Sequence, residues 1–202
     1  MNGGAMEMGA AGAARIRRSR LTLVAVFAVF VLPLALAWVM NFASDWVPRA
    51  TTNHGRLVEP VIPVHLAGWQ DPEGRSVDAA WLSGKWTLAY RIAGGCADDC
   101  HQVLYVLRQV RLAQGKNIDR VQRLVVLDAP ASPAWISEVQ EHYPGLMVVQ
   151  PASAGAVSGI PAPGKVYLID PLGNLMMEYG ADADARGMVK DLERLLRISY
   201  VG

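Results

Sequence analysis

The stretch "RIAGGCADDCHQVLYVLRQ" (residues 91–109) decides how this chain is read. It carries both cysteines, Cys96 and Cys100, three residues apart, with His101 beside them. Upstream, "WTLAYRIA" (86–93) is rich in strand formers and runs into Gly94-Gly95, a strand followed by a turn. Downstream, Val103, Leu104, Leu107 and Val110 form an apolar stripe at helical spacing, so a helix is predicted from about Asp99 to Ala113, with Gly115 as stop. Asp99 followed by Gln102 is a variant of the capping box, which makes Cys100 the first helical residue.

That placement matters chemically. A thiol at the positive end of a helix dipole ionises more readily than an ordinary cysteine. A three-residue spacer in a strand-to-helix turn also brings the α-carbons within disulfide range, and two close thiolates suit a soft ion such as Cu(I). Asp98 and Asp99 act in the opposite sense, since neighbouring negative charge raises a thiol pKa. The pair therefore suits a reductant or a metal holder better than a strong oxidant. A plain structural staple is the bland alternative, but so short a loop gives little stabilisation.

Outward from this site the pattern stays regular. "RLVVLD" (123–128) reads as a buried parallel strand, "SPAWISEVQEHY" (132–143) as a helix capped by Ser132-Pro133, and "LMVVQ" (146–150) as a strand. "KVYLID" (165–170) and "LMMEY" (175–179) flank the turn "PLGN" as a hairpin, and 183–198 forms a closing helix. The order β-α-β-α-β-β-α predicts an α/β protein with a thioredoxin-like fold, a mixed central sheet flanked by helices.

The N-terminal part is different. Arg15, Arg17, Arg18 and Arg20 precede an uncharged run, Leu21 to Ala43, whose 23 residues span about 34 Å as a helix, enough to cross a hydrocarbon core. Pro33 within it and Trp38 and Trp46 near its far end are compatible with a transmembrane segment. The arginines predict an N-inside orientation. A cleaved signal ending at Ala35-Leu36-Ala37 and a twin-arginine export signal at Arg17-Arg18 are the rival readings, and all three put the cysteines in the same oxidising compartment. The expected organisation is a basic cytoplasmic tail (1–20) whose first 14 residues are disordered, an anchor (21–43), an extended tether (44–63) and a thioredoxin-like domain (64–202). Formal net charge is +1, and from residue 44 onward 17 acidic residues face 15 basic ones, which argues against a nucleic-acid partner.

With these residues placed, the chain resembles the Sco/SenC family of membrane-anchored, thioredoxin-like proteins of cytochrome c oxidase assembly. The anchor, the "CADDC" pair, the hairpin "VYLIDPLGNLMMEYG" and the segments "NHGRLVEP", "GKWTLAYR" and "RQVRLAQGK" carry the likeness over residues 44–202. The resemblance implies a bacterial inner-membrane protein with its domain in the periplasm. It also implies either reduction of the oxidase's copper-site disulfide or Cu(I) delivery to that site, with Cys96 and Cys100 as the catalytic or copper-holding residues. The partner would be the copper-bearing oxidase subunit or another disulfide-containing client. A non-catalytic assembly factor is the third reading. The family also holds copper with a histidine shortly before the "VYLID" strand, where this chain reads "AVSGIPAPGK". His101 lies about 100° round the helix from Cys100 and is expected on the surface, as is His142 at a helix end. His54 and His65 fall in or just after the tether. Thioredoxin-like oxidoreductases place a cis-proline ahead of this strand; a cis bond at Pro161 or Pro163 would favour disulfide exchange, and a trans loop proline is the plainer expectation.

Overall fold

Strand β3 (Trp86–Ile92) is buried along nearly its whole length, and it forms the middle of a seven-stranded sheet. In the computed structural model, which describes residues 4–43, 52–94, 96, 98–153, 159–180 and 184–199, two compact units are present, residues 1–51 and 52–202. The first contains helix α1 (Gly4–Ala43), with Pro33 inside it. Its Arg20–Met40 portion is long and apolar enough to cross a membrane. The helix begins at Gly4, where a disordered tail was expected. The Ala- and Met-rich residues there are good helix formers and need only extend a helix that is already nucleated.

In the second unit the strands are β1 (Arg56–Pro63), β2 (Trp69–Gln70), β3, β4 (Val121–Leu127), β5 (Leu146–Pro151), β6 (Val166–Ile169) and β7 (Asn174–Tyr179), ordered β1-β7-β6-β3-β4-β5-β2. β3, β4 and β5 are parallel, as the strand–helix alternation requires, and the β6–β7 hairpin joins β3 antiparallel. Helices α2 (Asp98–Leu112), α3 (Pro133–His142) and α4 (Ala185–Ile198) complete it. The Ser132 hydroxyl caps α3 by accepting from the Trp135 N–H, with Pro133 in the first turn as the sequence implies. Helix α2 starts at Asp98, which makes Cys100 its third residue and not its first; its capping position, residue 97, lies outside the described residues.

Two apolar clusters sandwich the sheet. On one face Trp86, Leu88, Tyr90 and Ile92 pack with Leu104, Leu107 and Val110 of α2, Ile136 of α3 and Leu192 of α4. On the other, Ala89, Leu124, Val126 and Tyr167 are covered by Val64, Leu66, Trp69, Leu82 and Ile160. Apart from Ile160, that cover comes from segment 64–82, which contains the two-residue strand β2 and ends in a short 3-10 helix (Ala79–Leu82) capped by Asp78. Residues 56–63, expected as tether, are extended but paired: they form the edge strand β1 against β7, with a bulge between Leu57 and Ile62. Pro60 and Pro63 are tolerated because an edge strand needs hydrogen bonds on one side only.

Candidate functional site: the Cys96–Cys100 disulfide

The carboxyl ends of parallel strands are where α/β folds place their sites, and β3 delivers its chain end there. After Ile92, Gly94 takes a positive φ (+81°), turning the backbone toward α2. Cys96 lies in that turn and Cys100 in the first turn of α2. Their sulfurs are joined, with the α-carbons 5.2 Å apart, inside the range a disulfide demands. The two halves differ in reach. Cys100 is 5% exposed within the helix-side cluster, whereas Cys96 is half-buried at the rim. Asp99 is exposed beside them, and its charge adds to burial in raising the pKa of Tyr90 beneath the pair.

Cys96 also forms one wall of an open groove of about 370 Å³, whose other walls are Ile92, Leu127, Pro130, Ala131 and Trp135. Three separate segments build it: the β3 end, the β4 end and the entry to α3. Ser132 lines it too, but its hydroxyl is engaged in the α3 cap.

On the other side of β3, the loop carrying Pro161 and Pro163 is fastened to the same strand end. The Arg91 guanidinium pairs with Asp128 (Nε–Oδ1 2.7 Å) and donates to the carbonyls of Ile160 (2.7 Å) and Pro161 (2.9 Å). The Gly164 N–H donates to the Arg91 carbonyl, and the Tyr167 hydroxyl both donates to the Ala162 carbonyl and accepts from its N–H. Sequence reading missed Arg91 and Tyr167. A lone cation ending the buried strand "WTLAYR" was the available signal, since such a charge needs a partner.

Both Pro161 and Pro163 follow trans bonds; among the described residues the cis bond is Glu59–Pro60. The condition that would have favoured disulfide exchange is thus not met; Arg91 and Tyr167 hold this loop through its backbone. The histidines are dispersed. His101 is 36% exposed, 4.0 Å from Glu138; His142 turns its Nδ1 toward the Glu138 carbonyl; His54 faces Asp191 at the start of edge strand β1; His65 is exposed. Among the described residues no group of three His, Cys, Asp or Glu side chains could hold a metal, and residues 154–158 are Ala, Gly, Ala, Val and Ser. The donor set is two sulfurs, already bonded to one another, and it does not fit a three-ligand copper centre.

A helix-covered mixed sheet with a disulfide at its strand-to-helix junction defines a thioredoxin-like protein. The family model described as "Transmembrane-like, thioredoxin-like, C-terminal domain" matches residues 86–199, and the chain belongs to that family. No curated relative matches the sequence. Among solved structures, yeast Sco1 is 20% identical with a TM-score of 0.57, over 70% of this chain and 98% of its own. BsSco, a member of the Sco family of cytochrome c oxidase assembly proteins in which a disulfide switch was identified, is 16% identical with a TM-score of 0.55, over 69% and 96%. Copper-bound Arabidopsis thaliana ScoI is 18% identical with a TM-score of 0.52, over 72% and 99%. At these identities the likeness is one of fold, and at that level it agrees with the Sco resemblance seen in the sequence.

Proposed function

We propose that this chain is a membrane-anchored thiol–disulfide reductase-like factor that supports assembly of the copper centre of cytochrome c oxidase. In this reading α1 anchors it N-inside in a bacterial inner membrane and the disulfide domain works in the periplasm. The observation that carries it is the asymmetry of the pair: one rim sulfur and one buried sulfur, with no third copper ligand among the described residues. The reduced Cys96 thiolate attacks one sulfur of a client disulfide; that S–S bond breaks and a mixed disulfide forms. Cys100 then loses its proton and attacks the Cys96 sulfur, releasing the second client thiolate. The client gains two electrons and two protons, the pair becomes the disulfide described above, and an external dithiol resets it.

The second reading is a Cu(I) metallochaperone, and the likeness in fold to copper-bound ScoI favours it. One experiment separates the two. The reduced full chain in detergent is titrated with Cu(I) against a competing chelator, and is separately given a disulfide peptide, beside Cys96→Ser and Cys100→Ser variants. Reductase action predicts peptide reduction by the parent, none by Cys96→Ser, and a trapped mixed disulfide on Cys100→Ser. Tight one-to-one copper binding without peptide reduction, lost in Cys96→Ser, would establish the chaperone instead. Failure of both activities leaves a non-catalytic assembly factor.

A further inference from the structure

We propose that the groove beside Cys96 selects the client: it accepts an apolar side chain next to the client's half-cystine, and the surrounding charge favours a basic residue beyond it. This rests on the reductase reading above and names the substrate class of that same site. Three observations support it. First, Cys96 is itself a wall of the groove, so a client sulfur bonded to Cys96 lies at its edge. The next residue of an extended client is only ~3.3 Å further along, which brings its side chain to the opening.

Second, the walls are apolar. Ile92, Leu127, Pro130, Ala131 and Trp135 carry no charge, and the Ser132 hydroxyl is committed to the α3 cap. A carboxylate placed there would lose its water and meet no cation, whereas a Leu or Phe side chain would gain by burial. Third, exposed acidic groups stand beside the site: Asp99 between the cysteines and Glu138 one helical turn past Trp135. Asp98 adjoins Asp99 in sequence, and Glu138 is 51% exposed on α3 facing His101. The nearby cation Arg91 is already paired with Asp128. A client residue just outside the groove therefore meets a negative field that attracts Lys or Arg and repels Asp or Glu.

The test uses the reduced full chain in detergent, a small disulfide (2-hydroxyethyl disulfide), and peptide disulfides with Phe, Gly, Lys or Glu beside the half-cystine and Lys or Glu one position beyond. The expected result is a rate about tenfold higher for Phe than for Glu, the order of factor that partial burial of one large apolar side chain supplies. The Lys-over-Glu preference should shrink as salt is raised. In Trp135→Ala the Phe:Glu ratio should fall below about threefold. In Ala131→Glu, which puts a charge on the groove wall, the preference should move toward Lys at the groove position. Ratios taken within one variant cancel any general change in reactivity, and Ala131→Glu keeps the test open if Trp135→Ala does not fold. Reduction of the small disulfide with equal rates for all peptides overturns the groove proposal and leaves the reductase reading standing. No reduction even of the small disulfide overturns both. A preference that disappears as protein concentration rises would assign the groove to a second copy of this chain and overturn the proposal as well.

Discussion

Replacing Asp191 by Ala should be among the costliest single changes in the domain, and its size can be worked from the contacts. Asp191 lies on α4, 4% exposed. Its Oδ2 accepts from the backbone N–H of His54 (2.9 Å), from the N–H of Gly55 (2.9 Å) and from the Tyr179 hydroxyl (3.2 Å), while the His54 Nδ1 lies 3.1 Å from Oδ1. One carboxylate thus fastens the entry to β1 onto both α4 and β7. Burial, reinforced by the charge of Asp191, pushes the Tyr179 hydroxyl far above its ordinary pKa, so it remains a donor across the alkaline range. Without the carboxylate the Gly55 N–H is a buried donor with no acceptor and the Tyr179 O–H keeps only the weak Met177 Sδ at 3.9 Å, at ~1–3 kcal/mol each. His54 is half-exposed and its N–H can turn to water. The expected loss is about 4 kcal/mol, or a fall in Tm of roughly 10 °C for a domain of this size. Thermal melting of the full chain in detergent, followed by near-ultraviolet circular dichroism, measures it. His54→Ala, which removes only a half-exposed ring, should cost under about 1 kcal/mol. A loss below about 1 kcal/mol for Asp191→Ala, or an equal loss for His54→Ala, would refute the account of Asp191 as a cage for backbone and hydroxyl donors.

Three other outcomes are expected. Arg123 on β4 is 2% exposed and donates to the Pro144 carbonyl, but its Nε and Nη1 have no partner among the described residues; burial, with Arg111 and Arg108 nearby, lowers its pKa to about 10. Its charge therefore destabilises the fold below that pH, and Arg123→Met should gain roughly 1–3 kcal/mol at neutral pH, a gain that shrinks above pH 10 and that urea titration would detect. Gly159 has φ +76° and a Cβ there would lie 2.7 Å from the Pro63 carbonyl oxygen, so Gly159→Ala should cost ~2 kcal/mol or more in the same assay. Burial pushes Glu178 up, but Arg56 (2.6 Å) and Lys165 (3.0 Å) outweigh it and hold its pKa below the ordinary 4.5. The stability this carboxylate contributes is present above pH 4.5 and is lost as the pH falls through its lowered value, so the acid arm of the urea midpoint curve should be shallower in Glu178→Gln.

How much of this was legible in the sequence follows from how far apart the contacting residues lie. From Trp86 onward each element announces itself, because burial imposes a local period: "WTLAYRI" and "RLVVL" are apolar throughout as central strands must be, and "SPAWISEV" carries its own cap. β1 was not legible. "RLVEPVIP" has two prolines and little alternation, and only its pairing with Arg56 opposite Glu178 and Ile62 opposite Leu175 makes it a strand. The layer over the second face was missed for the same reason, since Val64, Leu66, Trp69 and Leu82 lie on loop backbone, a two-residue strand and a single 3-10 turn, all too short to show a period. The cysteine pair was plain, being the chain's only two. The groove was hidden because it exists only where the ends of β3 and β4 and the start of α3 meet.

The same distinction bears on copper versus thiol exchange. A missing histidine in the loop before β6 does not by itself exclude a metal there, because backbone oxygen can act as a donor. In this chain, however, several polar backbone groups between Ile160 and Gly164 are already engaged. The Ile160 and Pro161 carbonyls accept from Arg91, Ala162 makes two hydrogen bonds to the Tyr167 hydroxyl, and the Gly164 N–H is spent on β3. Carbonyl oxygen is in any case a hard donor, poorly matched to the soft ion that two thiolates select. Residues 160–164 are thus fastened to the end of β3, and freeing the Ile160 or Pro161 carbonyl would mean releasing Arg91, which also pairs with Asp128. If that reasoning is right, introducing a histidine alone, as in Ala162→His, should not turn the reduced protein into a tight copper binder, whereas Ala162→His combined with Arg91→Ala should bind Cu(I) more tightly than either single variant. Competition titration of the three variants measures this, and tight binding by Ala162→His alone would show that the histidine was the whole of the difference.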